Sequence, residues 1–168
     1  MIHVCSLSRL HETVEATGAR HVISLINGGT VVTRPSNVEP THHLFLGVND
    51  VVDEIEGLVA PGADHMRELL DFVASWPRQT PLVIHCYAGI SRSTAAAYVA
   101  LCALLPDADE DEIAQRLRHA SPTATPNARI VALADKALGR DGRMIRAISA
   151  IGRGRDAFEG EPFSLPVC

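Results

Sequence analysis

A short apolar run that passes through a seven-residue loop into an alanine-rich segment constrains the fold of this chain more than any other feature. Residues 81–85 have the composition of a strand buried on both faces, and residues 93–105 have that of a buried helix. The loop between them begins at Cys86 and ends at Arg92. Because open α/β sheets bind ligands at the carboxyl ends of their strands, this loop is the expected ligand site.

The rest of the chain alternates between strand and helix patterns and then becomes wholly helical. Further strands are expected over residues 2–7, 21–26 and 42–48. Helices are expected over residues 9–17 with Ser8 as the cap, 63–76, 109–119, 127–138 and 143–151. The order predicts an α/β fold with a central, mostly parallel sheet of four to five strands flanked by helices, and a helical C-terminal half.

The chain has the length of one domain, which we assign to residues 1–152. Residues 153–168 are rich in glycine and proline, and we expect them to form a loosely held tail.

The loop has the residue types that a phosphate site requires. The amides of residues 87–92, curled around one centre at the start of a helix, would favour a tetrahedral oxyanion, and Gly89 supplies the backbone freedom for the curl. The same positive potential stabilises an ionised sulfur, so we expect Cys86 to be a thiolate at neutral pH. Arg92 has a planar fork that holds two phosphate oxygens and keeps its charge.

This loop resembles the catalytic loop of the cysteine-based protein tyrosine phosphatases. The resemblance rests on the pattern Cys86-x5-Arg92-Ser93 with His85 before it, and it is closest to the compact dual-specificity-like branch, in a bacterial form. It implies that Cys86 attacks phosphorus to give a phosphocysteine, without a metal or organic cofactor. The substrate-binding residues that it implies are Tyr87, Ala88, Gly89, Ile90, Ser91 and Arg92.

The chemistry also needs an acid, because an alkoxide or phenoxide leaves poorly unless it is protonated. Asp50 follows the strand pattern of residues 42–48, at the place where members of the resembled family carry their acid. Asp53 is the second choice and Glu54 the third. A turn or a helix cap is the structural alternative for Asp50.

Two residues beside the nucleophile are expected to support it. Ser93 could donate a hydrogen bond to the sulfur and ease its departure from phosphorus, or simply cap the following helix. His85 points away from Cys86 if both lie in a strand, so we expect it to tie down loop backbone rather than to transfer protons.

Composition and net charge limit the classes of binding partner and the cellular compartment that we expect for this chain. The net charge of −5 argues against nucleic acid or an anionic membrane as the main partner. No secretory signal pattern and no apolar run long enough to span a bilayer is found. The four cysteines have neither paired nor metal-like spacing, so a reducing compartment, the cytoplasm, is expected. Cys5 and Cys102 are candidates for a resolving thiol, although small buried side chains are the simpler interpretation.

We therefore expect a phosphomonoester hydrolase that acts on a phosphorylated protein or a small phosphomonoester. The loop residues between Cys86 and Arg92 are uncharged, which favours phosphotyrosine over highly charged phosphoinositides or polyphosphates. Two alternatives remain open: a phosphate-recognising module with little or no turnover, and a sulfur-transfer or arsenate-reducing enzyme built on a similar anion loop. The sequence predicts no oligomeric state.

Overall fold

A five-stranded sheet runs through the centre of the computed structural model, which describes residues 1–168. The strands are β1 (Ile2–Ser6), β2 (His21–Ile26), β3 (His43–Gly47), β4 (Leu82–Cys86) and β5 (Phe163–Leu165), in the spatial order β3-β2-β4-β1-β5. The first four strands are parallel, and β5 pairs antiparallel with β1. The predicted α/β fold with a mostly parallel central sheet is confirmed.

Six α-helices flank the sheet, and each lies within two residues of the range expected from the sequence. They are α1 (Leu10–Thr17), α2 (Ala63–Ser75), α3 (Arg92–Leu104), α4 (Glu110–Ala120), α5 (Ala128–Ala137) and α6 (Arg143–Ile151). Helix α1 packs on one face of the sheet, against β1 and β4, and α2 and α3 pack on the other. None of the helices combines the length and the hydropathy needed to cross a bilayer.

Strand β4 is buried on both faces, as its composition predicts. Val83 belongs to the small core under α1, whereas Leu82 and Ile84 belong to the large core under α3. Helix α3 follows β4 after the loop and is enclosed by the sheet and by α2, α4 and α5. Its run of alanines lets these neighbours approach closely. Cys86 and Arg92, the two ends of the loop, are both buried.

The segment after α6 is held more firmly than its composition suggests. Strand β5 pairs with β1 over three residues, and before it the N–H groups of Gly154 and Arg155 donate to Thr125 Oγ1 and to the carbonyl of Pro122. The expectation of a loosely held tail is therefore wrong, because main-chain hydrogen bonds fix it at several points.

Ser8 also differs from its predicted role. The residue that precedes α1 is Arg9, and no side chain caps this helix. The hydroxyl of Ser8 instead donates to Glu159, in the segment before β5.

Candidate active site

The carbonyl oxygens of the loop are bonded to the segments that surround it. Four of the five carbonyls between Cys86 and Arg92 accept from a main-chain N–H outside the loop: Tyr87 from Leu7 (3.1 Å), Ala88 from Gly160 (2.8 Å), Ile90 from Thr125 (2.9 Å) and Ser91 from Asn127 (3.3 Å). A trans peptide directs its N–H opposite to its carbonyl, so these contacts turn the next N–H groups inward. The loop thus has donors on its inner side.

These inward N–H groups lack acceptors in the protein, with one exception. The N–H of Gly89 donates to Cys86 Sγ at 3.3 Å, which places the sulfur on the inner side of the curl. The N–H groups of Ala88, Ser91 and Arg92 donate to no protein atom. Because main-chain donors are rarely left unpaired, such a ring is suited to an anion.

Gly89 is required by the curl for two reasons. Its φ is +72°, in the left-handed region that other residues adopt only at a cost. A Cβ there would also lie 2.8 Å from the carbonyl carbon of Cys5 and 2.8 Å from the nitrogen of Ser6, both at the end of β1. The expected conformational role of Gly89 is confirmed.

Cys86 ends β4, and its side chain is buried at the base of the loop. Its Sγ lies 3.1 Å from the hydroxyl oxygen of Ser93, in the first turn of α3. The Gly89 N–H donates to the same sulfur, and either Ser93 or Cys86 can be the donor in the contact between their side chains.

Arg92 is the first residue of α3 and is almost fully buried. Its Nη1 donates to the carbonyl of Val48, just after β3, at 2.8 Å. Its Nε is buried and has no partner in the protein. A buried guanidinium N–H without an acceptor is costly, and an oxyanion in the loop is the ligand that would complete it.

Asp50 is brought to the mouth of the loop. Its Oδ1 accepts from the hydroxyl of Ser91 at 2.7 Å and from the side-chain amide of Asn127 at 2.8 Å, whereas its Oδ2 makes no hydrogen bond. The alternative acids differ: Asp53 makes no hydrogen bond, and Glu54 forms an ion pair with Arg129 at 3.2 Å. The geometry therefore favours Asp50.

His85 faces away from the sulfur and bridges two strands. Its Nε2 lies 2.6 Å from the hydroxyl of Ser24 on β2, and its Nδ1 lies 3.4 Å from the carbonyl of Cys86. Burial lowers the pKa of His85 to about 4, so the ring is neutral near pH 7. This arrangement suits a positioning residue for the end of β4.

Asn127 was not assigned to the site by sequence reasoning. Its side-chain oxygen caps α5 by accepting from Ile130 N at 3.1 Å, while its amide holds Asp50. The Pro126-Asn127 pair signals the start of a helix, which the structure confirms, but nothing in that signal indicates the second contact.

Two other cysteine thiols are buried in the hydrophobic cores. Cys5 belongs to the small core under α1, and Cys102 to the large core around α3. Burial raises the pKa of each to about 12, so both remain protonated. No group of three or more His, Cys, Asp or Glu side chains is arranged to hold a metal ion.

Comparison with known proteins gives matches at the level of structure only. No protein-family model matches the sequence, and no curated protein matches it. The Cydia pomonella PTP-2 phosphatase is 20% identical, with a TM-score of 0.63 over 80% of this chain and 84% of that one. DUSP15 is 15% identical, with a TM-score of 0.66 over 89% and 90% of the two chains.

A third similar structure is PTPMT1 in complex with PI(5)P, which is 13% identical, with a TM-score of 0.59 over 90% of this chain and 94% of that chain. The solved structures similar to this chain are thus dual-specificity and protein tyrosine phosphatases, and the similarity covers most of each chain. The chain has the fold of these phosphatases.

Proposed function

We propose that the protein is a cysteine-dependent phosphomonoester hydrolase, a protein tyrosine or dual-specificity phosphatase. One observation carries the proposal: the loop whose Gly89 N–H donates to Cys86 Sγ has further main-chain N–H groups that donate to no protein atom, and it ends at Arg92, whose buried Nε has no partner. Donors fixed in advance around a tetrahedral oxyanion stabilise it without reorganisation, and phosphoryl transfer depends mainly on such positioning.

The first step is an in-line displacement at phosphorus. The thiolate of Cys86 forms the S–P bond while the bond to the leaving oxygen breaks, and the proton on Asp50 passes to that oxygen. In the second step Asp50 removes a proton from water, the water oxygen bonds to phosphorus, and the S–P bond breaks. The hydroxyl of Ser93, 3.1 Å from Sγ, stabilises the departing thiolate.

Phosphotyrosine is the proposed substrate group. The loop side chains between Cys86 and Arg92 carry no charge, and they offer no salt bridge to a second or third phosphate. A reducing compartment such as the cytoplasm belongs to the proposal, because oxidation of the thiolate would end catalysis. Assays of phosphotyrosine and phosphoserine peptides beside phosphoinositides and nucleotides test this choice.

The reaction is tested by hydrolysis of an aryl phosphate. We expect Cys86→Ser to remove measurable turnover and Cys168→Ser, an exposed thiol, to leave it unchanged. Asp50→Asn should slow turnover by about 10²- to 10⁴-fold, whereas Asp53→Asn, the same change three positions along, should not. Trapped phosphoprotein in rapid quench would identify the phosphocysteine.

Equal rates for Cys86→Ser and the wild type would contradict the thiolate mechanism. Phosphate binding without turnover would instead identify a recognition module. Thiocyanate formed from thiosulfate and cyanide, with no phosphate released from aryl esters, would identify a sulfur transferase.

A further inference from the structure

A cavity that the proposed reaction does not use lies beside the catalytic loop. Its volume is about 440 Å³, and it is lined by Leu7, Ser8, Tyr87, Ala88, Phe158 and Glu159. Two of these residues belong to the loop itself, and two belong to the segment that precedes β5. The cavity therefore adjoins the phosphate site and is open to a substrate held there.

Glu159 supplies a fixed negative charge to this cavity. The hydroxyls of Ser6 and Ser8 both donate to its Oε1, which lowers the pKa of its carboxyl group and keeps it ionised. Its Oε2 makes no hydrogen bond, and no cation forms a salt bridge with it. Arg9 interacts electrostatically with Glu159 but forms its salt bridge with Glu12, at 3.0 Å.

Two aromatic rings stand at the same cavity without a packing partner. The side chain of Phe158 is fully exposed, and that of Tyr87 is 65% exposed. Exposed aromatic side chains that line a cavity mark a binding site more often than scattered apolar residues do. An aromatic face attracts a cation, and a guanidinium also stacks on a ring while its N–H groups reach a carboxylate.

We propose that this cavity is a subsite for the arginine side chain of a phosphopeptide, at a position close in sequence to the phosphorylated residue. The proposal rests on the proposed phosphatase function and specifies its substrate class. The aliphatic part of the arginine contacts Leu7 and the rings, and the guanidinium binds Oε2 of Glu159. Tyr87 and Ala88 belong to both sites, so one extended peptide can occupy them together.

The test uses phosphotyrosine peptides that differ at one position, within two residues on either side of the phosphotyrosine. Arginine is compared there with citrulline, which has nearly the same shape and no charge. We expect kcat/KM to be about tenfold higher for arginine at one of these positions, from an exposed charge pair with cation–π stacking. The ratio should shrink in 0.5 M salt, since salt screens an exposed pair.

Two glutamate variants decide whether Glu159 is responsible. Glu159→Gln keeps an oxygen that can accept from Ser6 and Ser8, and we expect it to bring the arginine-to-citrulline ratio to about one. Glu161→Gln removes the same charge from an exposed residue outside the cavity, and it should keep the ratio of the wild type. Phe158→Ala should lower the ratio in part.

Equal kcat/KM for the two peptides at every position, or equal loss in the two glutamate variants, would overturn the subsite. Aryl phosphate turnover separates this result from failure of the proposed function, because that substrate has no flanking residues. If the wild type does not hydrolyse aryl phosphate, calorimetric titration with the same peptides still decides the subsite: tighter binding of the arginine peptide supports it and equal binding rejects it.

Discussion

Replacing Gly89 by alanine tests how the fold shapes the loop between Cys86 and Arg92. The residue has a φ of +72°, and a Cβ there would lie 2.8 Å from two backbone atoms at the end of β1. Backbone atoms in a buried strand cannot move aside as a flexible side chain can. The substitution must therefore displace the loop, including the N–H that donates to Cys86 Sγ.

The magnitude has two parts. The left-handed conformation costs alanine about 1 to 2 kcal/mol, and overpacking against the strand costs about 1 to 3 kcal/mol. We expect the free energy of unfolding to fall by about 3 kcal/mol, which corresponds to a drop in Tm of about 6 to 12 °C for a domain of this size. Aryl phosphate turnover should fall as well, because the displaced amides no longer surround the anion.

Gly18→Ala is the matched control. Gly18 ends α1 with a φ of +67°, and nothing lies within 4 Å of a Cβ placed there. Gly18→Ala therefore measures only the cost of the left-handed conformation, about 1 to 2 kcal/mol, and turnover should be unchanged. Thermal unfolding followed by circular dichroism measures both variants. A Gly89→Ala protein that is as stable as Gly18→Ala and retains the turnover of the wild type would contradict this role of Gly89.

Three further predictions concern groups around the loop and in the core. Asn127→Ser keeps a side-chain oxygen that can cap α5 but removes the amide that donates to Asp50. We expect kcat to fall about tenfold for an aryl phosphate with a poor leaving group and less for one with a good leaving group, whereas a purely structural effect would slow both equally. The pKa of His85 is about 4 in the folded protein and 6.5 in an unfolded chain, so the unfolded state binds more protons between these pH values. The free energy of unfolding should therefore fall as the pH drops from 6.5 towards 4, and chemical unfolding of His85→Gln should show a smaller loss over that range. Glu110→Gln leaves Arg140 buried without its carboxylate partner at 3.1 Å, and unfolding in urea should show a loss of about 3 kcal/mol; a loss under 1 kcal/mol would contradict this.

The strand, loop and helix around Cys86 could be predicted because their signals are local. The apolar run and the alanine-rich run are contiguous with the loop, and the bounds of β4 and α3 fall within one residue of those expected. The position of Asp50 could be inferred only from the resemblance. Its contact with Ser91 spans 41 positions of the chain, and no local pattern encodes such a distance.

The features that sequence reasoning missed depend on tertiary contacts. Strand β5 has only three residues and lies between prolines, so its period-two pattern is too short to recognise. Ser8 looks like a cap because serine before a helix usually is one, but its hydroxyl bonds to Glu159, 151 positions away. Asn127 likewise has a second partner that only the assembled fold supplies.

The hydrogen bond from Gly160 to the carbonyl of Ala88 has a consequence for biosynthesis. The ribosome synthesises the chain from its N-terminus, and Gly160 follows the loop and all six helices in the sequence. A nascent chain that ends before this residue can form β4 and α3 but cannot anchor that carbonyl. The loop between Cys86 and Arg92 should therefore reach its final conformation late in translation, after most of the core has already assembled.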